Sequence, residues 1–590
     1  MTKDSKLWRK LIAVTTAATL GVTGVAVLTA SSAQASSRAG GTLVYVTNAN
    51  QLNHLDPQRV YTGEDIAFLN TYLFRSLVSY KPVAGAGGFT LVPDLATTIG
   101  TPTDGGKTWS WTLKSGIKWE DGSALTCADE KYGISRAFAT DVITDGPSYA
   151  LQDLNIPVDS SGNSLYAGPY KKTGQAYFDK AVTCSGMTLT VHLNNPIGDF
   201  NYFGSYPAMS PVKESVDQNS ATGGNNYDNH PWALGPYKIQ TNSIGNQLVL
   251  VRNAQWNKAT DSIRTAYPDT VQMRYSISSD TRDQIFLTDS VQNAVNYDQG
   301  LQPTNNVAFF ANPATAKRGL NTNSPYTRYE AFNISAGHMD CLVVRKAIFF
   351  AFPNQALINL AGGPRFYGKI GDNPIDPLLG TDYAPTTGNV HDANFKVAGN
   401  PTYAKTLLAQ AKTDCPATYT RVTDPKQGFS IDLPNNPTQQ KVAAIIKPAL
   451  AKAGLVVTFN FINPGTYYST VQNPAKQGDL SRAGWAADWA NASTVIPDLF
   501  LQNGGFDLNQ NWKDPVYAGF AEKVAAAQAE TDRAKQAADW KVLAQFVMDQ
   551  YWLNFPVFNQ EQNQWGSAVG GVQFWGPQGC LLFPALYVIH

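Results

Sequence analysis

The chain of 590 residues has little charge and few cysteines or histidines. Charged residues make up 15% of the sequence, and 45 basic side chains balance 45 acidic ones. Nucleic-acid binding depends on many lysine and arginine contacts to phosphates, so this balance argues against a nucleic-acid partner. Disorder over the whole chain is excluded, because 43% of the residues are hydrophobic and the net charge is zero. A chain of this length is expected to form several domain-sized units.

Motifs that would mark a metal centre or an enzyme are missing as well. No two of the six histidines lie at the spacing of a helical or finger-type metal site. The sequence contains no C-x-x-C pair and no G-x-S-x-G nucleophile motif. We therefore expect no metal, no cofactor and no catalysis. A hydrolase that uses a pair of carboxylates stays open as an alternative, because the spacing of such a pair is spatial.

The first 35 residues have the pattern of a secretory signal peptide. A basic head precedes Leu11 to Ala30, which carries no charge, and Ala33-Gln34-Ala35 has the small residues of a cleavage site. An uncleaved membrane anchor is the alternative, because the apolar run reaches about 20 residues. We expect cleavage and export to the outer side of the cytoplasmic membrane, or to the extracellular space. A lipid anchor is not expected, since no cysteine lies near the cleavage site.

Export would place the five cysteines in an oxidising compartment, where they can pair. They are Cys127, Cys184, Cys341, Cys415 and Cys580. Four of them can form two disulfides and one is left over, but the connectivity cannot be read from the sequence. We predict a Cys127–Cys184 bridge, because these two residues flank one compact segment.

Hydrophobic periodicity predicts a mixture of strands and helices, which favours an α/β protein. Asp121-Gly122 has the sequence of a hairpin turn. Segments 155–180 and 213–232 are rich in turn-forming residues and are predicted to be long surface loops. The predicted strands are 41–46, 107–113, 247–252 and 455–462, the predicted helices are 341–351, 402–412 and 438–453, and 516–550 is predicted to be one long helix or a helix pair.

Six stretches, taken in chain order, form a recognisable set of motifs. They are Leu55-Asp56-Pro57, then 91–96 with 107–113 and 116–129, then Leu234-Gly235-Pro236-Tyr237 with 250–256, then Val344-Arg345-Lys346-Ala347, then 403–408, and finally 482–489. Together they resemble the bacterial extracellular solute-binding proteins of family 5, which are receptors that serve ABC importers of peptides, nickel and related solutes. Two departures from the family pattern are Asn491-Ala492, where an acid and a proline are common, and Cys127, where another small residue is usual.

The resemblance implies an α/β, two-lobed periplasmic-binding-protein-like fold with an extra inserted domain in the first lobe. The ligand would lie between lobes that close about a hinge. The implied boundaries are 36–85, 231–315 and 553–590 for the first lobe, 86–230 for the inserted domain, and 316–552 for the second lobe.

The resemblance also implies ligand-binding residues. Asp488 matches, position for position, the aspartate that binds the peptide amino terminus in family members of the oligopeptide type. Arg482 matches an arginine that meets the peptide carboxylate in some relatives, and Arg365, in a loop rich in glycine and proline, is a weaker candidate for a similar role. Trp485 and Trp489 flank Asp488 and are predicted to wall the pocket. The structural alternatives are a turn or cap for Asp488, exposed surface for both arginines, and core packing for Trp485.

An extended peptide can also add as a strand to exposed sheet edges, using main-chain hydrogen bonds that ignore side-chain identity. The first predicted edge is Thr47 to Asn50, which includes Asn48 and Ala49. The second is Arg482 to Gly484, where the absence of a side chain at Gly484 would let a ligand backbone approach closely. An ordinary buried strand is the alternative at both places.

We therefore expect a monomeric receptor that captures short peptides for an ABC permease in the membrane. An oligosaccharide is the alternative ligand, because tryptophan faces also stack on sugar rings. Asp488 favours a peptide, since a neutral sugar needs no buried carboxylate. Nickel is less favoured, because the sequence contains no histidine cluster.

Overall fold

The structure is a computed structural model, and it describes residues 38–144, 146–160, 162–217, 226–298, 300–335, 337–463, 467–502 and 504–590. The predicted signal peptide, residues 1–35, lies outside the described residues. Within the described part of the chain, no helix combines the length and the apolar character needed to cross a bilayer.

The strands lie in three larger sheets and three two-stranded ones. They are β1 (Thr42–Val46), β2 (Val78–Tyr80), β3 (Leu91–Pro93), β4 (Thr101–Thr103), β5 (Thr108–Thr112), β6 (Val182–Ser185), β7 (Thr188–His192), β8 (Tyr237–Ser243), β9 (Gln247–Arg252), β10 (Thr270–Arg274), β11 (Ala294–Asn296), β12 (Gly319–Phe332), β13 (Gly368–Ile370), β14 (Phe429–Pro434), β15 (Val457–Ile462), β16 (Leu480–Trp485), β17 (Leu553–Gln564), β18 (Val569–Gly570), β19 (Phe574–Trp575), β20 (Cys580–Leu581) and β21 (Tyr587–Val588).

The α-helices lie between these strands, joined in places by short 3-10 turns. They are α1 (Gly63–Tyr72), α2 (Cys127–Arg136), α3 (Tyr149–Asp153), α4 (Gly168–Lys171), α5 (Gln175–Ala181), α6 (Glu214–Asp217), α7 (Ser279–Thr288), α8 (Pro303–Ala311), α9 (Pro313–Ala316), α10 (Leu342–Ala351), α11 (Asn354–Leu360), α12 (Pro364–Tyr367), α13 (Pro401–Asp414), α14 (Pro416–Thr423), α15 (Pro437–Lys452), α16 (Tyr467–Val471), α17 (Ile496–Phe500), α18 (Tyr517–Ala529) and α19 (Arg533–Asp549).

The five-stranded sheet has the order β11-β1-β10-β9-β8, with β1 parallel to both of its neighbours. Side chains alternate across a strand, so β1 presents Leu43 and Tyr45 to one face and Val44 and Val46 to the other. Both faces are covered, because the first pair packs in the largest core and the second pair packs in a smaller one. Burial on both faces explains why this strand is apolar along most of its length.

The six-stranded sheet has the order β13-β17-β12-β16-β14-β15 and forms the centre of the second large core. Its longest strands, β12 and β17, are antiparallel from the Gly319–Gln564 pair to the Ala331–Leu553 pair. β16 pairs with β12 from Leu480 to Trp485 on one side, but it pairs with β14 only at its first two residues on the other. The carboxyl end of β16 is therefore paired with β12 on one side and is unpaired with β14 on the other.

A separate four-stranded antiparallel sheet, β4-β5-β7-β6, belongs to the segment predicted as an inserted domain. Helix α2 covers it and begins with a capping box, in which the Thr126 hydroxyl accepts from the Asp129 N–H while the Asp129 carboxylate accepts from the Thr126 N–H. The predicted Cys127–Cys184 disulfide is confirmed and ties this helix to β6. A second disulfide joins Cys341 and Cys415, which leaves Cys580 buried as the free thiol.

The predicted strands and helices are mostly confirmed, but both predicted loops contain helical residues. Segment 213–232 includes the short helix α6. The helix pair predicted within 516–550 is present as α18 and α19. Segment 155–180, which we predicted to be a loop, contains α4 and most of α5. The buried side chain of Phe178 packs in the largest core and stacks on Tyr166, so tertiary contacts stabilise a helix in a segment with strong turn signals.

Candidate functional site

Asp488 lies three residues beyond the end of β16, on the loop that leads to α17. Its main-chain N–H donates to Thr494 Oγ1 at 3.0 Å, which fixes the loop. The residue lines a cavity of about 90 Å³ to which distant parts of the chain contribute. The lining consists of Tyr61, Gly63, Glu64, Ile66 and Tyr80, together with residues 205–206, 325–326, 486–488 and 577–579.

Three tyrosine hydroxyls surround the Asp488 carboxylate. Tyr61 donates to Asp488 Oδ2 at 2.5 Å, and Tyr149 donates to the same oxygen. Tyr206 also hydrogen-bonds to this carboxyl group. The three tyrosines belong to the segments predicted as the first lobe and its inserted domain, whereas Asp488 belongs to the segment predicted as the second lobe. The site therefore lies where these parts of the chain meet.

The Asp488 cavity contains a buried carboxylate, and its described lining supplies no positive charge to pair with it. Burial raises the pKa of Asp488 to about 6, and the hydrogen bonds from the three tyrosines oppose this rise only in part. The described lining contains a second acid, Glu64, but no lysine, arginine or histidine. Most Asp488 side chains are therefore ionised at pH 7, and a bound cation would relieve the cost of burying the charge.

Trp489 and Trp485 differ in their surroundings. Trp489 is 5% exposed, and its ring lies 4.8 Å from the ring of Tyr149, measured between centroids. It supports the tyrosine that contacts Asp488. The half-buried ring of Trp485 stacks on Phe506 at 5.1 Å, and its Nε1 donates to the Thr494 carbonyl at 2.6 Å. Trp485 thus packs against the second core, which is the alternative that the sequence left open.

Arg482 lines a different and larger cavity, of about 730 Å³. The Arg482 Nη1 lies 3.8 Å from the Glu330 carboxylate. Burial raises the pKa of Glu330 to about 7, and the attraction of the Arg482 charge opposes this rise only in part. Lys441 of α15 lines the same cavity, so two positive side chains from different elements face it. The cavity lies between residues of α8 on one side and of α11 and α15 on the other.

The group that lies close to Gly484 is the side chain of Arg328, from the same chain. A Cβ atom at Gly484 would lie only 2.6 Å from Arg328 Cδ. Arg328 is the residue paired with Gly484 across β12 and β16, and its guanidinium lies over the Tyr326 ring at 5.0 Å. Any larger side chain at position 484 would displace this arginine.

The predicted strand edge at Thr47 to Asn50 is wrong, because this chain already occupies most of its main-chain groups. The Asn48 N–H donates to Asp298 Oδ2 at 2.7 Å, and the carbonyls of Ala49 and Asn50 accept from Ser276 and Gly245. The segment borders a cavity of about 550 Å³ that shares Glu64 with the Asp488 cavity, so Ala49 lies near the site without offering a free edge.

Arg365 lies on an exposed part of α12, outside the cavities described above. Its guanidinium lies 5.4 Å from the Phe366 ring and 5.6 Å from the Phe310 ring, and its carbonyl accepts from Asn321. This position corresponds to the exposed-surface alternative. Arg365 itself does not line the cavity of about 730 Å³, but the next residue, Phe366, does.

Sequence reasoning missed the tyrosines and Glu64, because they come from segments with no motif of their own. Tyr61 and Glu64 follow the Leu55-Asp56-Pro57 match, and Tyr149 begins the short helix α3. Among the described residues, no cluster of three or more histidine, cysteine, aspartate or glutamate side chains has the arrangement of a metal site.

The similarities to known proteins agree with this architecture. Residues 90–507 match the model of the bacterial extracellular solute-binding proteins, family 5 Middle. The chain is 23% identical over 451 residues to the oligopeptide-binding protein OppA of Bacillus subtilis, and the alignment covers 75% of each chain.

Two solved structures extend the similarity over nearly the whole chain. Clavulanic acid biosynthesis oligopeptide binding protein 2 superposes with a TM-score of 0.81 at 25% identity, covering 94% of this chain and 96% of its own. The periplasmic binding protein DppA of Helicobacter pylori, solved with the peptide STSA, superposes with a TM-score of 0.68 at 18% identity, covering 95% of this chain and 100% of its own. The predicted two-lobed α/β fold is confirmed.

Proposed function

Because the chain belongs to the bacterial extracellular solute-binding proteins of family 5, we propose that it captures short peptides in the cleft between its lobes and delivers them to an ABC permease. The proposal includes export after cleavage near residue 35, action as a monomer, and the lobe boundaries given above. β12 and β17 begin at Gly319 and Leu553, immediately after two of those boundaries, which suits them to join the lobes.

The observation that carries the proposal is the Asp488 carboxylate in its cavity. A free peptide has an ammonium group at one end, and burying that charge costs several kcal/mol unless it is paired. Asp488 supplies the opposite charge, and the Tyr61 hydroxyl at 2.5 Å holds the carboxylate in place. The lining includes no competing base. Two of the similar proteins, OppA of Bacillus subtilis and clavulanic acid biosynthesis oligopeptide binding protein 2, are oligopeptide-binding proteins, which supports a peptide as the ligand.

Arg482 would meet the carboxylate at the other end of the peptide. It lies six residues before Asp488, so the two Cα atoms are at most ~22 Å apart along an extended chain, at ~3.6 Å per residue. The large cavity beside Arg482 leaves room for varied side chains at the carboxyl end.

Calorimetric titration with matched peptides tests the proposal. Ala-Ala-Ala and its N-acetylated form have the same side chains and the same carboxylate, but only the first carries an ammonium group. We expect the free tripeptide to bind with one-to-one stoichiometry and the acetylated form to bind at least 30-fold more weakly, which is about 2 kcal/mol. Equal affinities for the two peptides would remove the Asp488–ammonium pair from the mechanism.

A further inference from the structure

A second cavity lies on the far side of Tyr149 from the Asp488 cavity. Its volume is about 140 Å³, many times the ~10–15 Å³ that one water molecule requires. Residues of α3, of the loop at 197–199 and of the segment 489–504 form its walls. The Tyr149 hydroxyl donates to Asp488 and lies 3.2 Å from Asp498 Oδ2, so this one side chain separates the two cavities.

Three carboxylates line this second cavity: Asp153, Asp199 and Asp498. Asp199 is 3% exposed; its Oδ2 accepts from Ser493 Oγ and from Trp489 Nε1, but its Oδ1 is buried without a hydrogen-bond partner in the described part of the chain. An unpartnered buried carboxylate oxygen costs free energy in the empty protein, and a donor supplied by a ligand would remove that cost.

The cavity contains no matching positive charge. None of its described lining residues is lysine, arginine or histidine. Burial raises the pKa of Asp199 and the positive charge of Arg533 opposes this rise, but the Arg533 guanidinium already forms a salt bridge with Asp382 at 2.7 Å. The carboxylates also act on one another, since the charge of Asp199 adds to the burial that raises the pKa of Asp153 to about 7.

The shape and chemistry of the lining favour a planar organic cation over a metal ion. The three aspartates do not form a cluster with metal-site geometry in the described structure. The rings of Tyr149 and Trp489 line the same cavity, 4.8 Å apart between centroids, and a guanidinium group stacks well on aromatic faces while donating to carboxylates in its plane.

We propose that this cavity, lined by Asp153, Asp199 and Asp498, binds the guanidinium group of a ligand whose amino terminus is held at Asp488. The inference rests on the proposed peptide function and makes it more specific: the preferred ligands are short peptides that begin with arginine. The side chain of the first residue branches next to the amino terminus held by Asp488. The Tyr149 hydroxyl hydrogen-bonds to Asp488 and also to Asp498, which lines the second cavity, so the two carboxylates lie within reach of one peptide residue.

Titration of the full mature chain with Arg-Ala-Ala and citrulline-Ala-Ala tests this inference. Citrulline has nearly the shape of arginine but carries no charge. We expect wild-type protein to bind the arginine peptide at least tenfold more tightly, and Asp153→Asn to bring the two affinities within twofold of each other. Asp199→Asn is the second variant, and both variants must show a cooperative thermal transition. Asp179→Asn is the matched control, because that exposed aspartate pairs with Lys131 on the surface.

A further arm of the experiment uses agmatine, a free guanidinium compound, to separate the source of the cation from its site. Failure of both the arginine and the citrulline peptide to bind would count against the peptide function alone. Agmatine binding that Asp153→Asn weakens would then still support a guanidinium site. Equal wild-type affinities for the arginine and citrulline peptides, together with agmatine binding that is absent or unchanged in Asp153→Asn, would overturn the inference.

Discussion

The Asp488 carboxylate is buried in a cavity where tyrosine hydroxyls donate hydrogen bonds to it and no described lining residue carries a positive charge. Three phenol donors stabilise the carboxylate, yet burial still raises its pKa to about 6. Such an arrangement is costly in the empty protein and becomes favourable when a cation arrives. Perturbed acids of this kind concentrate at functional sites. At the residue scale, the predictions therefore concern this one carboxylate.

We predict that Asp488→Ala weakens the binding of a free tripeptide by about 2–5 kcal/mol, because truncation leaves the ligand ammonium without its partner. Calorimetric titration measures the loss. The acetylated tripeptide serves as the internal control, since it should bind wild type and variant with similar affinity. A variant that binds the free tripeptide as tightly as wild type would show that Asp488 lies outside the binding site.

We predict that peptide affinity falls as the pH falls through about 6. Asp488 must be ionised to bind an ammonium group, and its pKa in the free protein is about 6. Below that pH, each unit should reduce the affinity about tenfold, because binding must then expel one proton. Titrations between pH 7.5 and 5 measure the effect. The same affinity at pH 5 and pH 7 would contradict it.

The raised pKa also has a consequence for the stability of the free protein. Between the ordinary value of 3.8 and about 6, the folded chain holds a proton on Asp488 that the unfolded chain has released. The contribution of this group to stability is therefore present below pH 4 and is lost as the pH rises through 6. We predict that Asp488→Asn raises the unfolding free energy of the empty protein at pH 7 by about 1 kcal/mol. Denaturant unfolding tests this, and a less stable variant would contradict it.

At the scale of elements, the sequence predicts what depends on local chemistry. The Asp121-Gly122 turn could be predicted because its hydrogen bond, from the Gly122 N–H to the Trp119 carbonyl, joins residues only three apart. β1 could be predicted from the sequence because both of its faces are apolar. Segment 155–180 was not, because Phe178 stabilises its helix through contacts with distant residues.

The site was only half predictable for the same physical reason. Asp488 belongs to a motif within one strand and its following loop, so the resemblance identified it. Tyr61, Tyr149 and Tyr206 come from three separate elements, and only the folded chain brings their hydroxyls together. The supposed edge at Thr47 to Asn50 looked free because its partners, such as Asp298, are more than 200 residues away.

The disulfide between Cys341 and Cys415 gives a prediction about elements. It links the start of α10 to the junction of α13 and α14, away from every cavity described above. We predict that replacing both cysteines by serine lowers the unfolding free energy by about 2–4 kcal/mol, because the bridge closes a loop of 74 residues. Peptide affinity should stay within twofold of wild type. Thermal unfolding and calorimetry measure the two quantities, and an unchanged melting temperature would contradict the prediction.

At the scale of the whole molecule, the cavities lined by Asp488, by Asp199 and by Arg482 are each formed by segments of both predicted lobes. The Asp488 cavity is lined by Tyr61 and Glu64 from the predicted first lobe and by Tyr326 and Asp488 from the predicted second lobe. A ligand that contacts both sides stabilises the closed form by its preference for that form and by no more. The protein would then grip a peptide and release it without chemical change.

Native mass spectrometry of the purified chain, with and without a mixture of short peptides, tests that claim most directly. We predict one peptide bound per chain, retained under native conditions and recovered with its original mass after denaturation. The Asp488→Ala variant, treated in the same way, should retain far less peptide. Recovery of cleaved peptides would favour the hydrolase alternative, and a chain that binds no member of a diverse peptide mixture would contradict the proposed function.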